Sequence, residues 1–190
     1  MIGIQRAEPR QLRLVLDILD EAAAWLRQRG IVQWPERFSD ANDWRNSRIG
    51  DYVTAGETFL VIQDDDPVAT FSLAGADPDY AAGWPGGPGD AVYLYRMAVR
   101  RAAAGRHLGD HILNWASAFS SGRGQRWLRL DCHRLNPVLQ GYYLARGFAH
   151  VDTMIHTRPD GYIRGSGALF QRPAGTISLL SEHAAGHRSR

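Results

Sequence analysis

The chain has 190 residues, of which 44% are hydrophobic and 10% aromatic, a composition typical of one globular domain. At this size a single core buries roughly 70% of the surface that the unfolded chain exposes, so folding requires neither disulfides nor metal. All 22 basic residues are arginine. Residues 1–95 hold 8 Arg against 15 Asp and Glu (net −7), and residues 96–190 hold 14 against 5 (net +9). This polarity argues against a uniformly basic nucleic-acid-binding surface and indicates an anionic ligand on the C-terminal half.

The sequence carries no sign of secretion or of a membrane anchor. Cys132 is the single cysteine, which excludes an internal disulfide and a multi-cysteine zinc site. The N-terminal residues lack the apolar core of a signal peptide, and no apolar run reaches 18 residues. We therefore expect a cytoplasmic protein with no membrane partner.

The N-terminal half is predicted to contain a strand, a long helix and a pair of strands. Apolar residues at three- and four-residue spacing predict an amphipathic helix over 9–29, after a short strand within 2–7. A weaker helix is predicted over 40–52. Strand-like residues follow at 58–62 and 68–73, joined by an acidic turn.

The C-terminal half begins with a loop at 75–90 that is rich in Gly, Pro, Ala and Asp, and is interpreted as a mobile surface connection or a substrate lid. The elements predicted after it are strand 91–99, helix 105–121, strand 127–132, helix 136–146, a strand from Phe148, and a hairpin of 153–156 with 161–170. Together they predict an α+β fold with helices on a mixed sheet. One domain is expected over 1–171, with a tail at 172–190.

Residues 93–110 join a buried strand to a helix through a turn rich in arginine and glycine. The first N–H groups of a helix lack intrahelical partners and bind phosphate oxygens when small residues let the ligand approach. Gly105 and Gly109 provide that access, and Arg100, Arg101 and Arg106 add positive charge. The alternative is an ordinary strand–turn–helix unit with solvated arginines.

A second pattern lies about 30 residues further on. The strand at 128–132 leads to Asn136, and Tyr143, Gly147 and Phe148 complete the spacing Asn-x6-Tyr-x3-Gly-Phe. Together with Met97-Ala98-Val99 and the glycine turn, this pattern resembles the Gcn5-related N-acetyltransferase (GNAT) family. The stretch Trp25-Leu26 and the segment 30–35 resemble the acceptor-side helix and loop of a bacterial branch of that family. The resemblance covers about residues 2–158.

The resemblance implies a three-layer α/β/α sandwich. Its central sheet is mixed, mostly antiparallel, and splayed between the fourth and fifth strands. The implied activity is transfer of an acetyl group from acetyl-CoA, as co-substrate, to a primary amine by direct attack in a ternary complex, without a metal. The favoured acceptor is a small molecule rather than a protein, and the oligomeric state is left open, with a homodimer as one option.

The resemblance also assigns residues to the coenzyme A site. The pantetheine arm would pair with the backbone of Met97, Ala98 and Val99. The pyrophosphate would lie on the amides of the turn: Ala104, Gly105, Arg106, His107, Leu108, Gly109 and Asp110. Asn136 would contact the pantetheine or hold its helix against it. Tyr143 would be the general acid that protonates the departing thiolate, since a tyrosine of pKa about 10 keeps its proton at neutral pH.

The turn departs from the family pattern Arg/Gln-x-x-Gly-x-Gly/Ala. Ala104 occupies the first position, and His107 replaces the middle glycine. A side chain here is expected to crowd the phosphate or tilt the turn, so that coenzyme A binding is weakened or rearranged while function is kept. The alternatives are a harmless substitution, with compensation by Gly105 and Arg106 or a hydrogen bond from His107 to a phosphate, and the loss of ordinary acetyl-CoA use. This departure keeps two alternative functions open: a GNAT-fold enzyme that uses another acyl donor, such as a longer acyl-CoA or a carrier-protein thioester, and a non-catalytic binding or regulatory module.

Three residues are candidates for the acceptor side. Asp131 is assigned to activation of the amine, with a buried structural anchor as the alternative. Tyr95 and Trp34 are assigned to the wall of the acceptor pocket, with core packing as the alternative. The carboxylates Glu36, Asp40, Asp43 and Glu57 of the acidic half suggest a cationic acceptor.

Overall fold

The computed structural model describes residues 1–157 and 161–175. Its strands are β1 (Ile2–Arg6), β2 (Thr58–Gln63), β3 (Asp66–Ala74), β4 (Ala91–Val99), β5 (Trp127–His133), β6 (Ala149–Thr153) and β7 (Ser166–Pro173). Its helices are α1 (Leu12–Gln28), α2 (Trp44–Thr54), α3 (Leu108–Gly122) and α4 (Pro137–Leu144). The strands form one mixed sheet in the order β1-β2-β3-β4-β5-β7-β6. Within the described part of the chain, β4 and β5 are the parallel pair and the other neighbours are antiparallel.

The helices cover both faces of this sheet because successive strand residues point to opposite sides. On β2, Leu60 packs with α1 and α2, whereas its neighbours Phe59 and Val61 pack with α3. Tyr143 of α4 belongs to the same core as α3. The predicted α+β architecture, a mixed sheet between helical layers, is therefore confirmed.

Several predicted boundaries shift for local reasons. Helix α3 begins at Leu108 rather than at Gly105, because Gly105 and His107 have left-handed backbones with φ of 80° and 55°. Helix α2 begins at Trp44, where the side chain of Asp43 accepts a hydrogen bond from the Arg45 amide. The earlier start predicted at residue 40 is wrong by one turn.

The last strand extends beyond the predicted end of the domain. Strand β7 continues to Pro173, and Arg172 is buried, with its guanidinium donating to the carbonyls of Arg146 and Leu113. Strand β7 pairs with β6 (Ala149–Thr153), and backbone bonding continues past Thr153: the Met154 amide donates to the Gly167 carbonyl and the Arg164 amide to the His156 carbonyl. An isolated bridge between Thr157 and Ile163 follows. The predicted pairing of 153–156 with 161–170 is confirmed, but the regular strand begins earlier, at Ala149. Residues 176–190 of the expected tail lie outside the described residues.

The loop at 75–90 packs onto the sheet instead of standing away from it. It contains a 3₁₀ helix over Pro78–Gly83, and the side chains of Tyr80 and Trp84 are buried against β4 and β7. The two buried side chains therefore anchor the predicted loop to the sheet. None of the helices in the two described ranges combines the length and apolar character needed to cross a bilayer.

Candidate active site

The central feature of the site is a cleft where β4 and β5 diverge. The two strands pair only over 91–94 with 127–130. Beyond that point β4 stays paired with β3 and β5 with β7, so the facing edges of 95–99 and 131–133 have no strand between them. Their backbone groups line a cavity of about 350 Å³. The predicted splay between the fourth and fifth strands is confirmed.

One end of the cleft adjoins the turn that precedes α3. The amides of residues 105–109 have no acceptor among the described residues, as expected for the start of a helix. Gly105 and His107 both take left-handed backbone conformations, which are common in turns whose successive amides form an anion-binding concavity. The turn therefore presents a row of free donors beside the cleft, in the place predicted for an anion.

His107 fits this turn through its backbone. The middle position needs a positive φ, which histidine adopts more readily than most residues although glycine does so without strain. The side chain is 87% exposed, and its Nδ1 lies 3.5 Å from Oδ2 of Asp110. The imidazole is thus turned toward the first turn of α3 and into solvent.

The charges near the turn are unequally available. Arg100 is bound to Glu21 through a 2.8 Å ion pair. Arg101 and Arg106 are exposed, and their guanidiniums form no ion pair in the part of the chain that the structure describes. The Arg101 backbone amide donates to Glu21. The Arg101 guanidinium stacks over the Trp25 ring at 4.1 Å, and Arg106 donates to the side chain of Gln63. Two of the three predicted arginines are therefore free to meet an anion.

Gly109 and Asp110 are held by α4. A Cβ at position 109 would collide with the hydroxyl of Tyr142, so glycine is required here for the packing of α3 on α4. The Arg146 guanidinium donates to Asp110, and this hydrogen bond lowers the pKa of the Asp110 carboxyl. The carboxylate in the first turn of α3 is therefore ionised, but the positive charge of Arg146 offsets it. This pairing reduces the repulsion between Asp110 and a bound anion.

Tyr143 lines the cleft and is also part of the hydrophobic core. Its ring packs against Phe148 and Phe170, at centroid distances of 5.6 and 6.1 Å, and the residue also lines the cavity. Burial raises the pKa of its hydroxyl, so the proton is retained. This protonated state is the one that the predicted acid role requires.

The side chain of Asn136 caps the N-terminus of α4. Its Oδ1 accepts from the Leu139 amide at 3.1 Å as the helix cap, and its Nδ2 donates to Oε1 of Gln33 at 3.1 Å. Of the two predicted roles, the structure shows the one in which Asn136 positions the helix. It also ties α4 to the loop that carries Trp34.

The predicted acceptor-side residues meet at the other end of the cleft. Trp34, Tyr95 and Asp131 all line the cavity. Tyr95 donates to the Gly75 carbonyl at 2.7 Å, and burial raises its pKa. Burial also raises the pKa of Asp131. The positive charges of Arg164 and Arg96 act in the opposite direction, because they favour the ionised carboxylate, but burial prevails.

The carboxylates at 36, 40, 43 and 57 lie outside the cavity lining, so the reason given for a cationic acceptor is wrong.

Sequence reasoning missed the ion pairs of this pocket. Asp77, from the loop at 75–90, accepts from Arg164 at 3.0 Å and from Arg48 of α2 at 3.3 Å. Burial alone would raise the pKa of Asp77, but the hydrogen bond and charge of Arg164, together with Arg48, lower it. Arg164 donates to Asp79 as well. The partners are up to 87 residues apart, so no local pattern could reveal them.

Arg129 is a second feature that the sequence did not reveal. It sits on β5 with 1% of its surface exposed. Its guanidinium donates to the carbonyls of Gly87 and Pro85, at 2.7 and 3.0 Å, and to the hydroxyl of Tyr93. The buried Arg129 side chain therefore holds the loop at 75–90 against β5. Asp77, which lines the acceptor pocket, belongs to the same loop.

The site thus combines a cleft between two parallel strands with a neighbouring turn whose amides are unbonded among the described residues. The model of the acetyltransferase (GNAT) family matches residues 18–148, more than half of the chain. The protein therefore belongs to the GNAT family and is an acetyltransferase.

Individual relatives agree with this assignment. The chain is 29% identical over 138 residues to the uncharacterized N-acetyltransferase YesJ of Bacillus subtilis strain 168, covering 70% of this chain and 74% of YesJ. Among solved structures, a GNAT-family acetyltransferase of Streptococcus agalactiae has a TM-score of 0.69 at 20% identity, over 92% of this chain and 96% of that one. The PaiA N-acetyltransferase of Thermoplasma acidophilum, solved in complex with coenzyme A, has a TM-score of 0.61 at 16% identity, over 91% and 99%. At these identities the structural matches establish the fold.

Proposed function

We propose that the protein transfers the acetyl group of acetyl-CoA to a primary amine of a small molecule, by direct attack in a ternary complex. The observation that carries the proposal is the cavity between β4 and β5, which is lined by the unpaired edge of β4. The turn at 105–109, whose amides have no acceptor among the described residues, lies next to it: a Cβ at Gly109 would come within 3.9 Å of the Met97 side chain, which lines the cavity. Acetyl-CoA supplies the activated acetyl thioester. The protein supplies binding, orientation and the two proton transfers.

The residues present fit the donor. Free amides and the exposed guanidiniums of Arg101 and Arg106 suit a pyrophosphate. The unpaired backbone of Met97–Val99 suits an extended arm that pairs like a strand. Donor binding therefore depends mainly on main-chain groups, with side chains adding positive charge.

The chemistry requires one new bond and one broken bond. The amine nitrogen bonds to the acetyl carbon as the carbon–sulfur bond breaks. Asp131 takes a proton from the amine, and Tyr143 gives its proton to the departing thiolate. Both groups are in the cavity lining, and their raised pKa values make Asp131 a stronger base and keep the proton on Tyr143 until it is transferred. An N–H of the β4 edge would stabilise charge on the carbonyl oxygen.

The pocket suits a small acceptor rather than a protein chain. Its lining comes from side chains of α1, α2, β4, β5 and the loop at 75–90, which enclose it on several sides. The proposed setting of the reaction is the cytoplasm, as expected from the sequence.

A titration of thermal stability against acetyl-CoA tests the proposal. A ligand that binds only the native state raises stability by about 2.7 kcal/mol at one hundred times its Kd, so a clear rise in Tm is expected. ADP, which has a pyrophosphate without pantetheine, is the matched control for a purely electrostatic effect. No shift at millimolar acetyl-CoA overturns the proposal, and a shift with only longer acyl-CoA thioesters assigns the protein a different donor.

A further inference from the structure

One arginine of the acceptor pocket has no polar partner. Arg96 lines the cavity, and among the described residues its guanidinium makes no hydrogen bond and no ion pair. Its Nη1 is sealed from solvent without an acceptor. Burial, followed by the nearby charge of Arg48, lowers the pKa of Arg96, which is the mark of a cation short of compensating charge.

A break in the strand aims Arg96 at the acceptor side. Between the pairs Tyr95–Ser72 and Ala98–Thr70, β4 has two residues where β3 has one. This bulge places Arg96 at a φ of 50°, a conformation that arginine adopts only at a cost of about 1–2 kcal/mol. In a regular strand Arg96 would point away from Tyr95. Instead its guanidinium lies over the ring of Tyr52, which packs beside Tyr95.

The other arginines of the pocket are already satisfied or lie at its outer end. Arg45 pairs with Asp43 at 2.9 Å, and Arg48 and Arg164 share Asp77. Arg101 is exposed and stacks on Trp25 next to the donor turn. Arg96 is therefore the half-buried pocket arginine that has no ion pair among the described residues. Its Nη1 is sealed from the cavity, so Nε and Nη2 form the pair of donors left for a ligand. The Tyr52 ring, 5.5 Å from its guanidinium carbon, compensates only part of the charge.

We propose that the acceptor is an amine that also carries a carboxylate, as an amino acid does, and that Arg96 binds this carboxylate. Guanidinium and carboxylate match as a two-pronged pair, and a buried unpaired cation gains the most from such a ligand. The amine of the same molecule then faces Asp131, whose charge acts on Arg96 across the same pocket. This inference rests on the proposed function for the reacting amine, whereas the carboxylate site stands on Arg96 alone.

Binding of carboxylates tests the site without any turnover. Thermal shifts are measured for a panel of N-acetylamino acids, the products of such a reaction, and for their carboxamides, with and without coenzyme A. We expect some acids to raise the Tm of the wild-type protein while the matching amides do not. Arg96→Gln should abolish this difference, and Arg123→Gln, the same change at an exposed site on the far end of α3, should keep it.

Turnover provides the second arm. For an amino acid that is acetylated, Arg96→Gln should lower kcat/KM on the order of 10²-fold, and for its amide it should change kcat/KM less than about threefold. Aminophosphonates of the same side chains distinguish a carboxylate from a phosphate-like anion.

The outcomes separate the two proposals. If acetyl-CoA fails to bind while carboxylates still stabilise through Arg96, the proposed function falls and the site stands. If wild-type protein shows no preference for acids over amides in either arm, or responds only to phosphonates, the carboxylate inference is overturned. The comparison of acids with amides on the wild-type protein tests the carboxylate site even if Arg96→Gln fails to fold.

Discussion

The two ends of the cleft offer a ligand different kinds of group, so under the proposed function they would recognise donor and acceptor by different means. At the donor end the binding groups are backbone amides of one short segment, 105–109, with exposed arginines beside them. At the acceptor end they are side-chain charges drawn from α2, the loop at 75–90, β4, β5 and the segment before β7, and most are already paired. The donor end needs a particular backbone shape, whereas the acceptor end needs a particular arrangement of distant segments.

This difference explains what substitutions should do. Main-chain recognition should tolerate changes of side chain as long as the turn keeps its conformation. His107 keeps a left-handed backbone at the position where the family pattern has glycine. Side-chain recognition in a buried pocket depends on each partner, because removing one leaves another charge unpaired. The predictions that follow test this contrast, from the largest expected effect to the smallest.

Tyr143→Phe should have the largest effect. Removing the hydroxyl deletes the proposed acid but keeps the ring that packs on Phe148 and Phe170. We expect kcat to fall on the order of 10³-fold, with little change in the Kd for acetyl-CoA or in stability. Pre-steady-state release of coenzyme A measures the chemical step. Unchanged turnover in that step would remove Tyr143 from the mechanism.

Arg129→Met should damage the acceptor end selectively. The change leaves the carbonyls of Gly87 and Pro85 without their donor, and we expect a loss of about 3 kcal/mol in the free energy of unfolding. KM for the acceptor should rise more than KM for acetyl-CoA, because the loop carries Asp77. Urea unfolding and steady-state kinetics measure both effects, with exposed Arg126→Met as the control. Equal changes in the two KM values would contradict the contrast.

Asp131 makes the pH dependence of catalysis and of stability run in opposite directions. Its pKa is raised by burial, with Arg164, Asp77, Ser166 and Arg96 around it. The folded protein therefore binds this proton more tightly than the unfolded chain does. As pH rises from the unfolded-state pKa through the folded-state pKa, the free energy of unfolding should decrease, because a buried charge forms in the folded protein. Over the same range kcat/KM should rise as the base ionises.

Asp131→Asn should remove both trends. We expect kcat/KM to fall about 10²-fold and to lose its acidic limb, while stability at neutral pH increases. A pH–rate profile and thermal unfolding across about pH 4–8 provide the two measurements. A variant that is less active but also less stable at neutral pH would instead mark Asp131 as a structural anchor.

Gly109→Ala tests the packing of the donor turn. The added Cβ meets the Tyr142 hydroxyl, and overpacking of this kind costs about 2 kcal/mol. The double variant Gly109→Ala with Tyr142→Phe removes the hydroxyl and should recover most of that loss. If the single variant is as stable as wild type in chemical unfolding, the packing of α3 on α4 does not require glycine at position 109.

His107→Gly should have the smallest effect. Glycine relieves the left-handed strain but is more flexible when unfolded, so we expect a net gain of about 0.5–1 kcal/mol. The Kd for coenzyme A should change less than about threefold, because the imidazole points into solvent. Gly105→Ala is the opposite change at a second left-handed position, with a φ of 80°. It should lower the free energy of unfolding by about 1 kcal/mol. A tenfold tighter complex for His107→Gly would show that the imidazole crowds the phosphates.

The donor end could be predicted from the sequence because its determinants are local. Gly105 and Gly109, the strand before them and the cap at Asn136 are each set by neighbours within a few positions, and the element order followed from hydrophobic spacing. The acceptor end could not be predicted in this way. The pairing of Asp77 with Arg164 and the burial of Arg129 arise from contacts over 40 residues or more along the chain. The direction of Arg96 depends on a bulge against β3, which no pattern within β4 reveals.

The guanidinium lining of the pocket has a chemical consequence for an enzyme that handles an activated acetyl group. Apart from His133, every basic side chain in the lining is arginine, and the chain contains no lysine. A guanidinium keeps its proton at any physiological pH and presents no free amine, whereas a lysine in the same position would be an acceptor itself. The pocket can therefore hold a negatively charged substrate beside the thioester without competing with it for the acetyl group, so the enzyme is protected from acetylating its own binding site.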